Sequence, residues 1–445
     1  MNDAPARAPI SFRDALRFWL KLGFISFGGP AGQIAIMHQE LVEKRRWISE
    51  RRFLHALNYC MLLPGPEAQQ LATYLGWLMH RTWGGILAGV LFVLPSLLIL
   101  IGLAWLYLAL GTTPLVAGLF FGIKPAVTAI VMHAAWRIGS KSLKNALLWL
   151  IAGLAFVAIF ALELPFPLIV ATAALAGYIG GQVCPAYFEF RGQPQKVGEI
   201  HWPALIDDTT PTPAHARFSW PRLRRVLGVG LLLWLLPMAG LTVLFGWEHT
   251  LTQMAWFFTK AALLTFGGAY AVLPYVYQGA VLDYAWLSAG QMIDGLALGE
   301  TTPGPLIMVV AFVGFVGAYL KALFGPDSLF LAGAAAACLV TWFTFLPSFI
   351  FILAGGPVVE ATHGDLKFTA PLMAISAAVV GVILSLALFF AYHVFWPQGF
   401  AAVLDLPAVA LALVAAIALF RCQARVMTVI VASAAAGYLL KLAGL

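Results

Sequence analysis

About thirteen mainly apolar stretches follow one another along this chain, near 12–37, 53–79, 83–110, 114–136, 145–162, 164–184, 226–247, 253–276, 292–320, 329–355, 369–395, 402–420 and 426–443. Each is close to the roughly 20 residues with which a helix crosses a bilayer. Inside lipid the backbone must satisfy its own hydrogen bonds, so segments of this length and texture are helices. Composition agrees. Apolar residues make up 62% of the chain and charged ones 10%, against about half and a quarter in soluble domains. The expectation is an all-α integral membrane protein whose main partner is the lipid bilayer. A net charge of +7 could suggest nucleic acid. The basic residues, however, lie in short segments between apolar runs, where positive-inside sorting places them, so no nucleic-acid partner is expected. Cys60, Cys184, Cys338 and Cys422 are far apart and match no metal-ligand spacing. Neither a metal nor a cofactor is expected. Arg7, Arg13, Arg17 and Lys21 interrupt the first apolar stretch, so no cleavable signal is read there. The N-terminus is expected to stay in the cytoplasm of a cell with an inner (plasma) membrane.

The chain repeats itself. Adding 239 to each position from Phe18 to Pro66 overlays Phe257 to Pro305 without a gap. Lys21 falls on Lys260, Phe27-Gly28-Gly29 on Phe266-Gly267-Gly268, and Pro64-Gly65-Pro66 on Pro303-Gly304-Pro305. Leu94-Pro95-Ser96 recurs as Leu346-Pro347-Ser348 after an insertion. The organisation read from this is an N-terminal membrane repeat over 1–185, a polar, flexible cytoplasmic linker over 186–225, a connecting transmembrane helix over 226–250 and a C-terminal membrane repeat over 251–445.

Charge sets the orientation. Residues 44–52 read Lys-Arg-Arg-Trp-Ile-Ser-Glu-Arg-Arg, whereas the equivalent 283–291 has no Lys or Arg and carries Asp283. The two turns should face opposite sides, which makes the repeat inverted. If all thirteen segments spanned from a cytoplasmic N-terminus, 44–52 would land outside. Treating 12–37, 53–79, 253–276 and 292–320 as re-entrant hairpins gives nine spans plus four hairpins and misplaces only Lys321 and Lys441. Broken helices that cross fully, with the N-terminus outside, are the rival topology.

A helix that ends inside a membrane leaves backbone groups unpaired, which is tolerated only in buried or polar surroundings. Helix N-termini with free amides and a positive dipole end favour anions. Gly28, Gly29, Gly65, Gly267, Gly268 and Gly304 are therefore expected at a substrate site where up to four broken-helix ends converge. A single Gly or Pro motif more often marks close packing, and it is the recurrence of both motifs that favours a site. Ionisable residues in apolar segments are functional candidates. Lys21, Lys260 and Lys124 are expected to supply positive charge, with snorkelling to the surface as the structural alternative. Thr301 and Thr302 are candidate hydroxyl donors, although such residues more often bond their own backbone. Glu67 follows one Pro-Gly-Pro and Glu300 precedes the other. They are candidates for proton coupling, set against a simple helix-dipole role for Glu67. His38, His55 and His80 are read as solvated. No catalytic constellation is found, so an enzyme is not expected.

The run Phe27-Gly28-Gly29-Pro30, Trp47, Leu63-Pro64-Gly65-Pro66, repeated as Phe266-Gly267-Gly268, Trp286 and Thr302-Pro303-Gly304-Pro305, resembles the chromate ion transporter family in its long, two-domain form. The resemblance covers nearly the whole chain. It implies two homologous halves of opposite orientation and secondary active efflux of chromate, a tetrahedral dianion and sulfate analogue, driven by the membrane potential or a proton gradient. A sulfate transporter and a passive anion channel are the alternatives. Ala269 in place of Pro30 and Leu306 in place of Glu67 depart from the pattern and make the half-sites unequal. A homodimer is one assembly open to such a chain, and nothing in the sequence fixes it.

Overall fold

The computed structural model describes residues 10–27, 29–111, 113–188, 204–207, 210–211, 213–266, 268–361, 369–401 and 403–443. They form sixteen α-helices. The first half holds α1 (Phe12–Ile25), α2 (Gly29–His38), α3 (Glu50–Leu62), α4 (Glu67–Leu110), α5 (Pro114–Ser142), α6 (Ala146–Phe160) and α7 (Phe166–Val183). A connecting helix, α8 (Trp220–Phe245), leads to α9 (Thr250–Leu264), α10 (Ala269–Tyr277), α11 (Ala289–Thr301), α12 (Val309–Leu320), α13 (Leu329–Ala361), α14 (Thr369–Phe395), α15 (Leu406–Phe420) and α16 (Val426–Leu442). Six apolar helices are long enough to span a bilayer, and four shorter apolar ones accompany them. The chain is a multi-pass, all-α membrane protein.

The repeat is structural as well as sequential. Helices α2 and α10 each run into a π-helical turn, Gln39–Lys44 and Gln278–Asp283. Ser49 and Ser288 cap α3 and α11 with their hydroxyls. Arg46 and Ala285, 239 apart, share the left-handed conformation, with φ of 53° and 47°. Later, α6 and α15 begin 260 residues apart, as do α7 and α16. Helix α4 is not one straight rod. His80 and Arg81 leave helical geometry, and Gly76, Gly84, Gly85 and Gly89 let the limb before the bend pack closely against the limb after it. In the second half the same hairpin is made by α12 and α13. Proline inside α4, α5, α8 and α13 is tolerated because neighbouring helices shelter the freed carbonyls.

Two layers result. One holds α1–α4 and α8–α13. The other interleaves the halves: α5 packs on α15 and α16, while α14 packs on α5, α6 and α7. The α5–α16 contact is closest where Gly437 meets Gly122, and the α14–α7 contact where Gly177 meets Ala370 and Ala374. Small residues bring the backbones together, as is usual in lipid, where apolar burial supplies little drive.

One face gathers the start of α1, the α4 bend, the 44–52 turn, the linker end and the end of α13. His80 bonds Ile10 O at 2.9 Å, His215 bonds Trp77 O at 3.0 Å, and Tyr74 donates to Glu360. Residues 205–206 bond the backbone of Arg46 and Trp47 at 3.1 and 3.0 Å, so this part of the expected flexible linker is docked instead. From there α8, about 39 Å long at 1.5 Å per residue, carries the chain to the opposite face, where Tyr284 lies within electrostatic reach of Glu248. The 44–52 and 283–287 turns thus lie on opposite faces, as expected of an inverted repeat. The histidines are less solvated than their sequence positions suggest: His38 pairs with Glu50 and Glu43, and His55 faces Val359 O at 3.4 Å.

Candidate functional site

The helix breaks of the two halves meet and are tied to each other. Helix α1 ends at Ser26 and α9 at Thr265, both fully buried. Their hydroxyls bond back to Leu22 O and Ala261 O at 2.6 and 2.7 Å, so each side chain satisfies its own helix. The freed carbonyls turn outward. Gly304 N–H donates to Ser26 O at 2.8 Å, and Gly65 N–H donates to Thr265 O at 2.7 Å. Each bond joins one half to the other, and the two are images of one another under the 239-residue offset. A two-fold axis between the halves therefore passes through this junction.

Glycine is required at its centre. Gly65 and Gly304 have φ of +130° and +106°, a region closed to other residues. A Cβ on Gly65 would strike Ser348 and Gln70, and one on Gly304 would strike Ser96. Ser96 and Ser348 are the serines of the repeated Leu-Pro-Ser. Gln33 donates to Ser26 O and Gly304 O across the junction. Around it, Ser96 Oγ, Ser348 Oγ, Gln33 Oε1, Gln69 Oε1 and Gln70 Oε1 are buried without a partner, which marks a polar interior at membrane depth.

Among the described residues, three helix starts beyond the breaks carry no side-chain cap. Helices α1, α3, α9 and α11, which start at the two faces, carry side-chain caps from Ser11, Ser49, His249 and Ser288. Neither Pro66 before α4, Gly268 before α10, nor Pro305 before the short turn leading into α12 supplies one. First-turn amides left this way need an external acceptor. Glu67 stands at the first position of α4, and its Oε1 lies 3.9 Å from where a Cβ on Gly268 would sit. One carboxylate thus stands at the N-terminal end of α4 and beside that of α10. On the other side Leu306 replaces it, and the space beside Gly29 is open.

Two more charges complete the region. Glu300, at the end of α11, is buried and accepts from Tyr270 of α10. Lys141 and Arg137, one turn apart on α5, act electrostatically on Glu67 and Glu300 respectively. The two carboxylates thus lie within electrostatic range of α5, and neither forms an ion pair with it among the described residues.

The expected site residues are distributed as follows. Gly29, Gly65, Gly268, Gly304, Glu67 and Glu300 come together at the junction. Gly28 and Gly267 lie outside the described residues. The amides of Gly65 and Gly304 already bond across the halves, so they hold the junction and are not free donors. Thr301 and Thr302 bond Leu298 O and Gly299 O of their own helix at 2.9 and 3.1 Å. Lys21 is exposed on α1, and Lys260 holds its ammonium 5.8 Å from the Trp256 ring. Lys124, without an acid near it in sequence, pairs with Asp294 of the other half at 3.3 Å. Sequence reasoning passed over Asp294, although an acid in an apolar segment was signal enough. Arg137 and Lys141 carry no sequence signal for a site, because nothing local ties them to the breaks.

A model of the family described as chromate transporters matches residues 13–178 and 252–438, one match on each half. A chromate transport protein of Cupriavidus metallidurans is 29% identical over 96% of this chain and 92% of its own length. One from Pseudomonas aeruginosa is 32% identical over 84% of this chain and 80% of its own. An uncharacterized Bacillus subtilis transporter, YwrB, is 31% identical over 134 residues, 30% of this chain but 68% of that shorter protein. No solved structure matches the chain. With the family model covering both halves, and with relatives of this identity along most of its length, the chain belongs to the chromate transporter family.

Proposed function

We propose that the protein is a secondary active transporter that exports chromate, a tetrahedral dianion, across the inner membrane. The observation that carries this is the placement of Glu67 at the uncapped start of α4 and beside that of α10, with Arg137 and Lys141 of α5 within electrostatic range of the two carboxylates. Amides at helix ends, a polar interior and two cations are what a desolvated oxyanion needs. A resident carboxylate repels a dianion while ionised. Protonation of Glu67 or Glu300 on anion binding would remove that repulsion and link a proton to the transport cycle. Lys21, Lys260 and Lys124 remain outside this arrangement.

Export is also the economical direction. One charge crossing 100 mV is worth about 2.3 kcal/mol, so a dianion leaving a negative interior gains roughly twice that. The 44–52 turn and the docked linker then mark the cytoplasmic face, on which Lys141 and Arg137 would attract the anion. A carrier fits better than a channel, because α10 and α11 are buried against α5, α7, α14 and α16. Sulfate has the same charge and shape and is the competing substrate.

Inverted membrane vesicles give the test. Chromate uptake should saturate, accelerate with an inside-positive potential and show counterflow. Non-saturating flux would mean a channel. Uptake of sulfate with no competition from chromate would replace the substrate. With an ionised carboxylate opposing the anion, wild-type uptake should fall as pH rises. Glu67→Gln and Glu300→Gln should flatten that profile at full expression. If both keep the wild-type profile, proton coupling does not run through these residues.

A further inference from the structure

The two halves share one fold but not one set of contacts. Helix α11 packs against α5, α14 and α16, and α10 packs against α14 and α7. Their counterparts do not follow suit: among the described residues, the extended interhelical contacts of α2 and α3 are made with α4. The same faces show it residue by residue. On α3, Leu54 and Met61 are 43% and 50% exposed, while their equivalents on α11, Ile293 and Glu300, are 1% and 9% exposed. Ala31 and Ala35 of α2 are exposed where Tyr270 and Pro274 of α10 are buried. A face carried by both repeats is thus covered in one and uncovered in the other.

The covered side is held by a charge pair. Lys124 on α5 meets Asp294 on α11 at 3.3 Å, and Tyr107 of α4 donates to the same carboxylate at 2.8 Å. Asp294 is 4% exposed, and its second oxygen has no partner. Lys124 and Asp294 both line a cavity of about 600 Å³ on that face. Nearby, the rings of Tyr277 and Phe389 stack α10 on α14 with centroids 4.4 Å apart.

The repeat supplies the image of each contact. Gly122 lies against Gly437 as Ala374 lies against Gly177, which places α5 and α14 at an offset of 252, the offset of the Leu-Pro-Ser motifs. The image of the Tyr107–Asp294 bond is then Val359–His55, and that contact exists, with His55 Nε2 3.4 Å from Val359 O. The image of Lys124–Asp294 is Ser376–His55, and the image of Phe389–Tyr277 is Arg137–His38. Neither of these two contacts is present among the described residues.

We propose that the Lys124–Asp294 pair is a latch closing the face opposite the 44–52 turn, and that transport passes through a second state in which the halves exchange arrangements. In that state α3 seats on α14, α7 and α5, and α2 on α5 and α16. Ser376 reaches His55, and Arg137 reaches the His38–Glu43–Glu50 group. The junction is then open to the other face. The inference rests on the transport reading, because only a carrier needs a second state. Its test is scored without any anion, so a failure to move chromate would not be mistaken for its failure.

Two cysteine pairs, in a background lacking the native cysteines, read the two states in native membranes with a short thiol cross-linker. Tyr277→Cys with Phe389→Cys should link readily. His55→Cys with Ser376→Cys should link slowly, and about fivefold or more faster once Asp294→Asn weakens the latch, the low end of a conformational coupling. Should a pair fail to reach the membrane, a single cysteine at Met61 serves: its maleimide labelling should slow in the Asp294→Asn background. Full linking of the first pair with no linking of the second in either background would overturn the latch, and so would an unchanged Met61 labelling rate.

Discussion

At the scale of single residues, the glycines of the breaks fall into two kinds. Gly65 and Gly304 combine a positive φ with neighbours that leave no room. Gly29 has φ +69°, but nothing lies within 4 Å of where a Cβ would sit. Gly29→Ala should cost about 1–2 kcal/mol, the left-handed penalty alone. Gly65→Ala adds overpacking of about 1–3 kcal/mol and distorts the amide that reaches Thr265. Thermal denaturation in detergent should therefore rank Gly65→Ala and Gly304→Ala well below Gly29→Ala, and equal melting points would show the junction to be softer than its geometry. The motifs made these glycines visible in the sequence. What they do was not visible, since whether an amide faces an anion or a carbonyl 200 residues away depends on the fold. Asp294 was hidden differently: it matches His55 in the repeat, so the comparison that exposed the glycines passed over it.

At the scale of elements, the helix breaks, the repeated hairpins and the connecting helix were legible because Gly, Pro and long apolar runs act locally. The docking of 204–207 on the 46–49 turn was not, because a backbone pairing between distant polar segments leaves no periodic trace. Orientation can be tested on the turns themselves. Ser49 and Ser288 are equivalent, but Ser49 is buried and would label poorly. Lys44 and Asp283, also 239 apart, are both exposed at the ends of the π-helical turns. A cysteine replacing Lys44 should react with an impermeant maleimide only from the cytoplasm, and one replacing Asp283 only from outside. Reaction of both from one side would mean that the halves are parallel.

At the scale of the whole molecule, the halves cannot be taken apart cleanly. Gly65–Thr265 and Gly304–Ser26 cross between them, and the second layer alternates α5 with α14–α16. A cut between 189 and 203 should leave two fragments that neither accumulate nor transport alone, yet co-purify and restore uptake when made together. A first-half fragment stable on its own would contradict the interleaving.

Helix α8 has no counterpart in either repeat, and its part in the fold is one of parity. Two copies of the same hairpins and spans, joined directly, would enter the bilayer the same way up. One additional crossing reverses the second copy. Only then can the carbonyl of Ser26 and the amide of Gly304 approach from opposite sides and exchange partners with Thr265 and Gly65. The pairing at the centre of the molecule thus depends on an odd number of crossings, and a helix whose main contacts are with α9 and α13 decides whether there is a junction at all.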